Sequence, residues 1–511
     1  MMKKFLALFL CLLMLASLAV GCSEKEATED ATGIDTFSVG YGRTDISPKS
    51  SVPMGGFGDD RVSTMIADPL YACCIAFSDK DTTVLVFTMD LLSSNKELVA
   101  AARALIKQET GIPENCIMIT SSHTHSSADL AKTSVPVIAE YIELICAQML
   151  EAAKIALEDR KPATMESTFC RPEQMNYVRH YILDNGTYAG SNFGDFNSGK
   201  IIGHRGKADN LMQLLNFKRE DAKDIVLINW QGHYRFEKGT IISSDYYGQV
   251  RNHLESALDC HAAFVLGPSG NVNTRSLMSS EPSILDYREY GKTLSEYALE
   301  AAKDFAPIQT GKIEITENLY TADLAAGGTL EYPLYALSLG DAAFIFAPYE
   351  MFDTNGITIR NNSKYHATFL ATCANGRFYY VPDMAGFECQ SYEASTTRLK
   401  AGYGEIFADE YVKMLDDLYT RTGITPTDKV DIYNTQEFVP VSDGAEYTNL
   451  KPGDTSAYTA TASGAYVITL RGPAGVNKML VWDAEVRDQI LNSTTVKLLF
   501  DDFNVIAGIA E

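Results

Sequence analysis

Cys116-Ile117-Met118-Ile119 leads into Ser121-Ser122-His123-Thr124-His125, and the reading of the chain turns on this stretch. The apolar run is short, uninterrupted and followed by polar residues, which predicts a buried β-strand. Residues two apart on an extended chain share a face, so His123 and His125 project together if the extension continues past the strand. Neutral imidazole is both the commonest metal ligand and the commonest general base. The chain has only 8 histidines, so a His-x-His pair at a strand end concentrates that chemistry in one place. A polar loop after a strand is the plainer alternative, and other groups converging there would decide between them.

Outward from this stretch, the sequence from Asp35 to Thr422 alternates strand-like and helix-like segments. Thr82–Phe87 reads as a buried strand followed by Asp90. Lys96–Thr110 has helical composition and stops at Gly111. Val135–Asp159 is a long helical pattern whose Glu140, Glu143 and Lys154 argue against a membrane span. Asp224–Trp230 leads to His233, Ala262–Leu266 to Gly267-Pro268-Ser269-Gly270-Asn271, Ala342–Ala347 to Pro348-Tyr349-Glu350, and Ala367–Thr372 to Asn375 and Tyr379-Tyr380. Tyr247–Leu258 and Tyr287–Phe305 read as intervening helices. The pattern predicts an α/β fold, a mixed sheet flanked by helices. Its polar residues gather past the C-terminal ends of the strands, where α/β sheets bind ligands. Met54-Gly55-Gly56-Phe57-Gly58 reads as a turn, and there is no internal repeat or P-loop. After Gly423-Ile424-Thr425-Pro426 the composition becomes β-prone, which predicts a small β-rich C-terminal module over residues 423–511.

The N-terminus carries Lys3 and Lys4, an apolar stretch Phe5–Val20, and Ala19-Val20-Gly21-Cys22. The stretch is short for a membrane span and has signal-peptide anatomy. Cysteine directly after Gly21 resembles a bacterial lipobox. That resemblance implies a signal peptide over 1–21, lipid attachment at Cys22 and an extracytoplasmic protein anchored to the cell membrane. The polar, acidic segment that follows makes residues 22–36 a tether. Net charge is −23, and no Lys/Arg run supplies a basic face, which argues against nucleic acid as a partner. The eight cysteines beyond Cys22 show no Cys-x-x-Cys spacing and indicate no disulfide framework.

His123, His233 and Glu350 each stand just past a different predicted strand. Two imidazoles and a carboxylate suit Zn²⁺ with an open position. Several segments resemble the neutral/alkaline ceramidase family: Val39-Gly40-Tyr41-Gly42-Arg43-Thr44-Asp45-Ile46, Pro53-Met54-Gly55-Gly56-Phe57, His123-Thr124-His125-Ser126 and Asn229-Trp230-Gln231-Gly232-His233. Ser243-Ser244-Asp245 through Gly248, Ala347-Pro348-Tyr349-Glu350, Asn375 through Tyr380 and Tyr392-Glu393-Ala394-Ser395 continue the likeness over nearly all of Ser38–Thr422.

The resemblance implies a hydrolase domain over residues 37–422, with Zn²⁺ held by His123, His233, Glu350 and Tyr380. It implies that His125 and Tyr392 lie in the reaction centre, and it matches Arg179, in Asn176-Tyr177-Val178-Arg179-His180, to an active-site arginine. The expected reaction is cleavage of the N-acyl amide bond of ceramide or a related lipid. The chain departs from the family in one loop. Where the family has a Gly-Asp-Val-Ser-Pro-like segment, this chain has Gly270-Asn271-Val272-Asn273-Thr274, with Asn273 in place of the serine. An amide side chain does not form an acyl-enzyme as serine does. Two alternatives therefore stay open: hydrolysis of another amide or ester, such as an acylated glycan, and a non-catalytic binding lipoprotein.

Overall fold

Thr83–Met89 is buried at every position, and so are Ile117–Ser121, Ile225–Trp230, Ala342–Phe346 and Ala367–Ala371, which explains their unbroken apolar runs. The computed structural model describes residues 37–425, apart from 58–59, 234–238, 279 and 282. Beyond them it describes the backbone of four short strands, Val439–Val441, Ser456–Tyr458, Ala465–Thr469 and Asn504–Ile509. The segments read as a signal peptide over 1–21 and a tether over 22–36 lie outside the described residues. So does the C-terminal module, apart from residues 423–425 and those strands.

Among the described residues, nine strands form the main sheet: β1 (Ser38–Asp45), β2 (Tyr71–Ser78), β3 (Thr83–Met89), β4 (Ile117–Ser121), β5 (Lys161–Cys170), β6 (Met212–Arg219), β7 (Ile225–Trp230), β8 (His261–Leu266) and β9 (Ala306–Ile308). Their order is β8-β7-β6-β5-β1-β2-β3-β4, with β9 paired to β5. A second sheet runs β10 (Thr310–Asp323), β11 (Thr329–Gly340), β12 (Ala342–Phe346) and β13 (Ala367–Ala371). The longer helices among the described residues are α1 (Lys96–Thr110), α2 (Pro136–Glu158), α3 (Asp245–Leu258), α4 (Tyr287–Ala301), α5 (Asp353–Asn362) and α6 (Tyr403–Tyr419). The fold is a mixed sheet flanked by helices, as the sequence pattern predicts.

Within these two sheets three pairs are parallel: β3 with β4, β7 with β8, and β12 with β13. A parallel pair needs a long crossover, and here each is a helix: α1, α3 and α5 respectively. Asn95 caps α1 by accepting from the Leu98 amide, and Gly111 ends it at φ +77. The other pairings of both sheets are antiparallel.

Alternation along the strands explains how two sheets share one interior. In β7 and β8, Leu227, Ala263 and Val265 face a central core, while Val226, Ile228, Trp230, Ala262, Phe264 and Leu266 face α3 and α4. In β12 and β13, Phe344, Phe346, Phe369 and Ala371 enter the same central core, while Ala343, Ile345 and Leu370 pack toward α6. The inner faces of both sheets are thus pressed together with helices outside.

One buried polar cluster locks this arrangement. Arg360 of α5 donates from Nη1 to Asp209 Oδ2 at 2.6 Å, from Nη2 to Asn229 Oδ1 at 3.0 Å and from Nε to the Thr368 carbonyl at 3.4 Å. Asn229, in β7, donates to the carbonyls of Val265 and Leu370 at 3.1 and 3.0 Å and accepts from the Leu370 amide at 3.1 Å. It ties β7, β8 and β13 together. The eight cysteines of the described residues are all free. No helix among the described residues is long and apolar enough to cross a membrane.

Candidate functional site

The segments that leave the C-terminal ends of the parallel strands meet at one place. His123 follows β4, His233 follows β7, Ser269 follows β8, Glu350 follows β12 and Tyr380 follows β13. This is the ligand-binding end expected of crossover-built sheets.

His123 reaches the site by a different route from the one its spacing predicts. The strand stops at Ser121, and His123 has φ +64, so the chain turns there instead of staying extended. The two rings still come together, with centroids 5.0 Å apart. The backbone amide of His123 donates to the Leu91 carbonyl at 2.9 Å, which holds the turn. Its Nδ1 lies 2.8 Å from the Leu92 carbonyl. A carbonyl only accepts, so Nδ1 carries a proton and Nε2 is the ring nitrogen that faces inward. Ala374 and Asn375 brace the strand from the second sheet: the Asn375 amide donates to the Ile119 carbonyl at 2.7 Å, and its Oδ1 accepts from the Ile119 amide at 2.9 Å.

Glu350 and Tyr380 are direct neighbours in a short parallel pair, Glu350–Met351 with Tyr380–Val381, which brings both side chains to the same spot. Glu350 Oε2 stands 3.3 Å from His123 Nε2 and 3.7 Å from His233 Nδ1. That oxygen is buried and makes no hydrogen bond. His233 is held by its amide, which donates to the Val272 carbonyl at 2.8 Å, and by a bond from its ring to the Ser269 backbone. The ligating atoms of His123, His125 and His233 all lie within 4.8 Å of one another.

His125 packs between the other two imidazoles and Phe57, with centroids 5.0 Å from His123, 5.1 Å from His233 and 5.0 Å from Phe57. The glycine-rich segment Met54–Phe57 supplies one wall. Gly56 has φ +96, and a Cβ there would overlap the His125 ring. Arg61 lies over Phe57 at 4.7 Å and donates to the His125 carbonyl at 3.2 Å.

Arg179 enters from the far side of His233, with Nη1 3.5 Å from its Nδ1. Its guanidinium lies 5.4 Å from the centre of the Tyr380 ring, and Tyr392, at the start of the short helix Tyr392–Thr396, packs its ring 5.8 Å from Tyr380. The structure therefore gathers His123, His125, Arg179, His233, Glu350, Tyr380 and Tyr392 in one place. Asn273 is adjacent: its backbone bridges His233, and the Val272–Asn273 strand pairs with Tyr177–Val178 just before Arg179. The loop that departs from the family serves as a frame for two site residues.

Electrostatics at the site divide the imidazoles. Burial, reinforced by neighbouring positive charge from His123 and Arg179, keeps His125 and His233 well below the usual histidine range, so both are neutral. Burial alone would lower His123 too, but Glu350 and Cys373 outweigh it and raise this group well above the ordinary value. Glu350 is held below the usual carboxylate range because His123 outweighs the effect of burial. Burial and the charge of Glu350 push the Tyr380 phenol upward.

The donor set fits a divalent metal. Separations of 3.3 and 3.7 Å match the edge of a tetrahedron around zinc, about 3.4 Å for ligand distances near 2.1 Å. An orphaned carboxylate oxygen facing imidazole nitrogens is what a cation would satisfy.

Comparison with solved structures bears on the fold. The chain superposes on neutral ceramidase from Pseudomonas aeruginosa with a TM-score of 0.62 at 15% identity, over 78% of this chain and 76% of that one. This is a neutral ceramidase-like fold. A structure described as ceramidase complexed with C2 agrees, with a TM-score of 0.63 at 14% identity, covering 77% of each chain. No family profile matches the chain, and no curated protein sequence matches it.

Sequence reasoning missed Glu393 and His180. Glu393 is almost fully buried, accepts from Arg179 Nε at 2.6 Å and bonds His180 Nε2 at 2.9 Å. Burial would raise its carboxyl, but Arg179 and the His180 hydrogen bond pull it down to about 2. Its signal was an acid beside Tyr392, with a basic Arg179-His180 pair elsewhere that needed a counter-charge.

Proposed function

We propose that this chain is a metal-dependent hydrolase of the neutral ceramidase type, cleaving the N-acyl amide bond of ceramide or a related lipid. The observation that carries this reading is the meeting of three imidazoles with the orphaned Glu350 oxygen at the strand ends of a neutral ceramidase-like fold. His123, His233, Glu350 and Tyr380 would hold the ion, and zinc is the metal their N/O donor set suits best. When bound, zinc supplies water activation by lowering the pKa of its water to about 7.

The remaining roles belong to side chains. His125, kept neutral by burial, accepts a proton from the attacking water and returns it to the departing amine nitrogen. Arg179 and Tyr392 donate to the carbonyl oxygen as it becomes anionic, and Arg179 arrives with its guanidinium already oriented. Asn273 supports direct attack by water, since it offers no nucleophile for an acyl-enzyme. Lipid attachment at Cys22 would hold the domain at the outer face of a membrane, beside a lipid substrate.

The test is metal analysis of the purified protein together with fatty-acid release from ceramide, with His125→Ala as control. Stoichiometric zinc and chelator-sensitive turnover, lost in His125→Ala, are the expected results. Protein without bound metal overturns the reading. The changed Gly270–Thr274 loop favours one second reading, the same chemistry on a different amide or ester such as an acylated glycan. A substrate panel that releases acid from such compounds and not from ceramide would select it.

A further inference from the structure

We infer that Glu393 is a positioning residue that lets this site hold a metal cation and an arginine side by side. The inference rests on the metal reading above. Arg179 is almost fully buried, and its Nη1 stands 3.5 Å from His233 Nδ1, one of the atoms facing the candidate metal position. A fixed guanidinium so close to a divalent ion is a repulsive pair in a medium that screens poorly. Without a counter-charge, it would oppose metal binding, and its Nε and Nη2 donors would be free to turn toward the imidazoles as Nη1 already does.

Glu393 answers both problems. Its Oε1 takes Nε at 2.6 Å and also contacts Nη2, so one face of the guanidinium is committed to the carboxylate. Its Oε2 is fixed by His180 Nε2 at 2.9 Å, so the carboxylate cannot rotate to follow the metal. The His180 ring is in turn held edge-on by Phe193, centroids 5.3 Å apart, and tilted against Phe352 at 5.7 Å. Ser391 accepts from the Ala394 amide at 3.1 Å and sets the first turn of the helix that carries Glu393. Held this way, Arg179 lies over Tyr380, leaving Nη1 as its donor beside His233.

The experiment is a zinc titration of the metal-stripped full chain, by competition with a chromophoric chelator. It compares the native protein with Glu393→Gln, Arg179→Met and the double variant, and thermal melts establish that each is folded. Glu393→Gln is expected to bind zinc at least about tenfold more weakly, because the guanidinium is left uncompensated. The double variant is expected within about threefold of the native protein, since the two changes act through one contact. Arg179→Met alone is expected to bind zinc as tightly as the native chain or more tightly.

In turnover, Glu393→Gln should lower kcat more than it raises KM, because a displaced Arg179 fails mainly toward the charged transition state. Native affinity in Glu393→Gln, or a double variant as weak as Glu393→Gln, overturns the proposal alone. If Glu393→Gln fails to fold, Arg179→Met decides: weaker zinc binding there overturns the proposal, and unchanged or tighter binding supports it. A native chain that takes up no zinc overturns the metal reading and this proposal with it.

Discussion

Two buried polar clusters lie close together in this molecule and are built on opposite plans. Around Arg360, each nitrogen of the guanidinium meets an acceptor, and Asp209 and Asn229 close the set with backbone groups of the neighbouring strands. Around His123, the arrangement is left open. Glu350 Oε2 faces two imidazole nitrogens at 3.3 and 3.7 Å and has no hydrogen bond of its own. A cluster that serves folding closes on itself, whereas one that serves chemistry leaves lone pairs pointing at a common point. Arg360 and Asp209 are fully buried and His123 and Glu350 largely so, which makes burial alone a poor guide to which cluster is which.

That contrast can be tested at both ends. His123→Ala should cost at least about a thousandfold in turnover and abolish zinc uptake, with a circular-dichroism spectrum like that of the native protein. A variant that keeps its zinc would break the contrast. Arg360→Met should do the reverse, leaving the zinc affinity of the folded fraction intact while lowering the unfolding free energy by about 3–5 kcal/mol in urea titration.

The acid limb of stability sharpens the picture further. Glu393 is held at about 2 in the folded chain against an ordinary 4.5, so its folded pKa is the lower one. Its contribution is complete above about pH 4.5 and drains away as the pH falls toward about 2. The amount is on the order of 3 kcal/mol. Glu393→Gln should flatten this limb in urea midpoints measured between those pH values. Smallest is Gly56→Ala, whose Cβ would displace His125: turnover should fall about tenfold with a stability loss of about 1 kcal/mol, read by kinetics and thermal melting.

The parallel strands were legible because double-sided burial writes itself as unbroken apolar runs. The polar residues at their ends were legible because crossover sheets put them there. His123 and His125 were rightly paired for a reason that proved incomplete, since extension ends at Ser121 and a left-handed turn completes the approach. Nothing in a non-glycine side chain announces such a φ. Glu393 stayed hidden because its partner Arg179 lies 214 positions away, and a long-range ion pair leaves no local period. Arg61 and the tautomer-fixing Leu92 carbonyl act through backbone geometry, which composition does not record.

The site is drawn from turns and strand ends scattered between Gly56 and Glu393, with contacts such as Cys373 to His123 spanning 250 positions. Closing loops of that length precedes any reward from the ligand set, so the metal position is among the last features to form. A cation bound there acts on the native state more than on the transition state for folding. Zinc should therefore slow unfolding while leaving the refolding rate nearly unchanged, making the ion a clasp on the finished molecule and not a nucleus for its assembly.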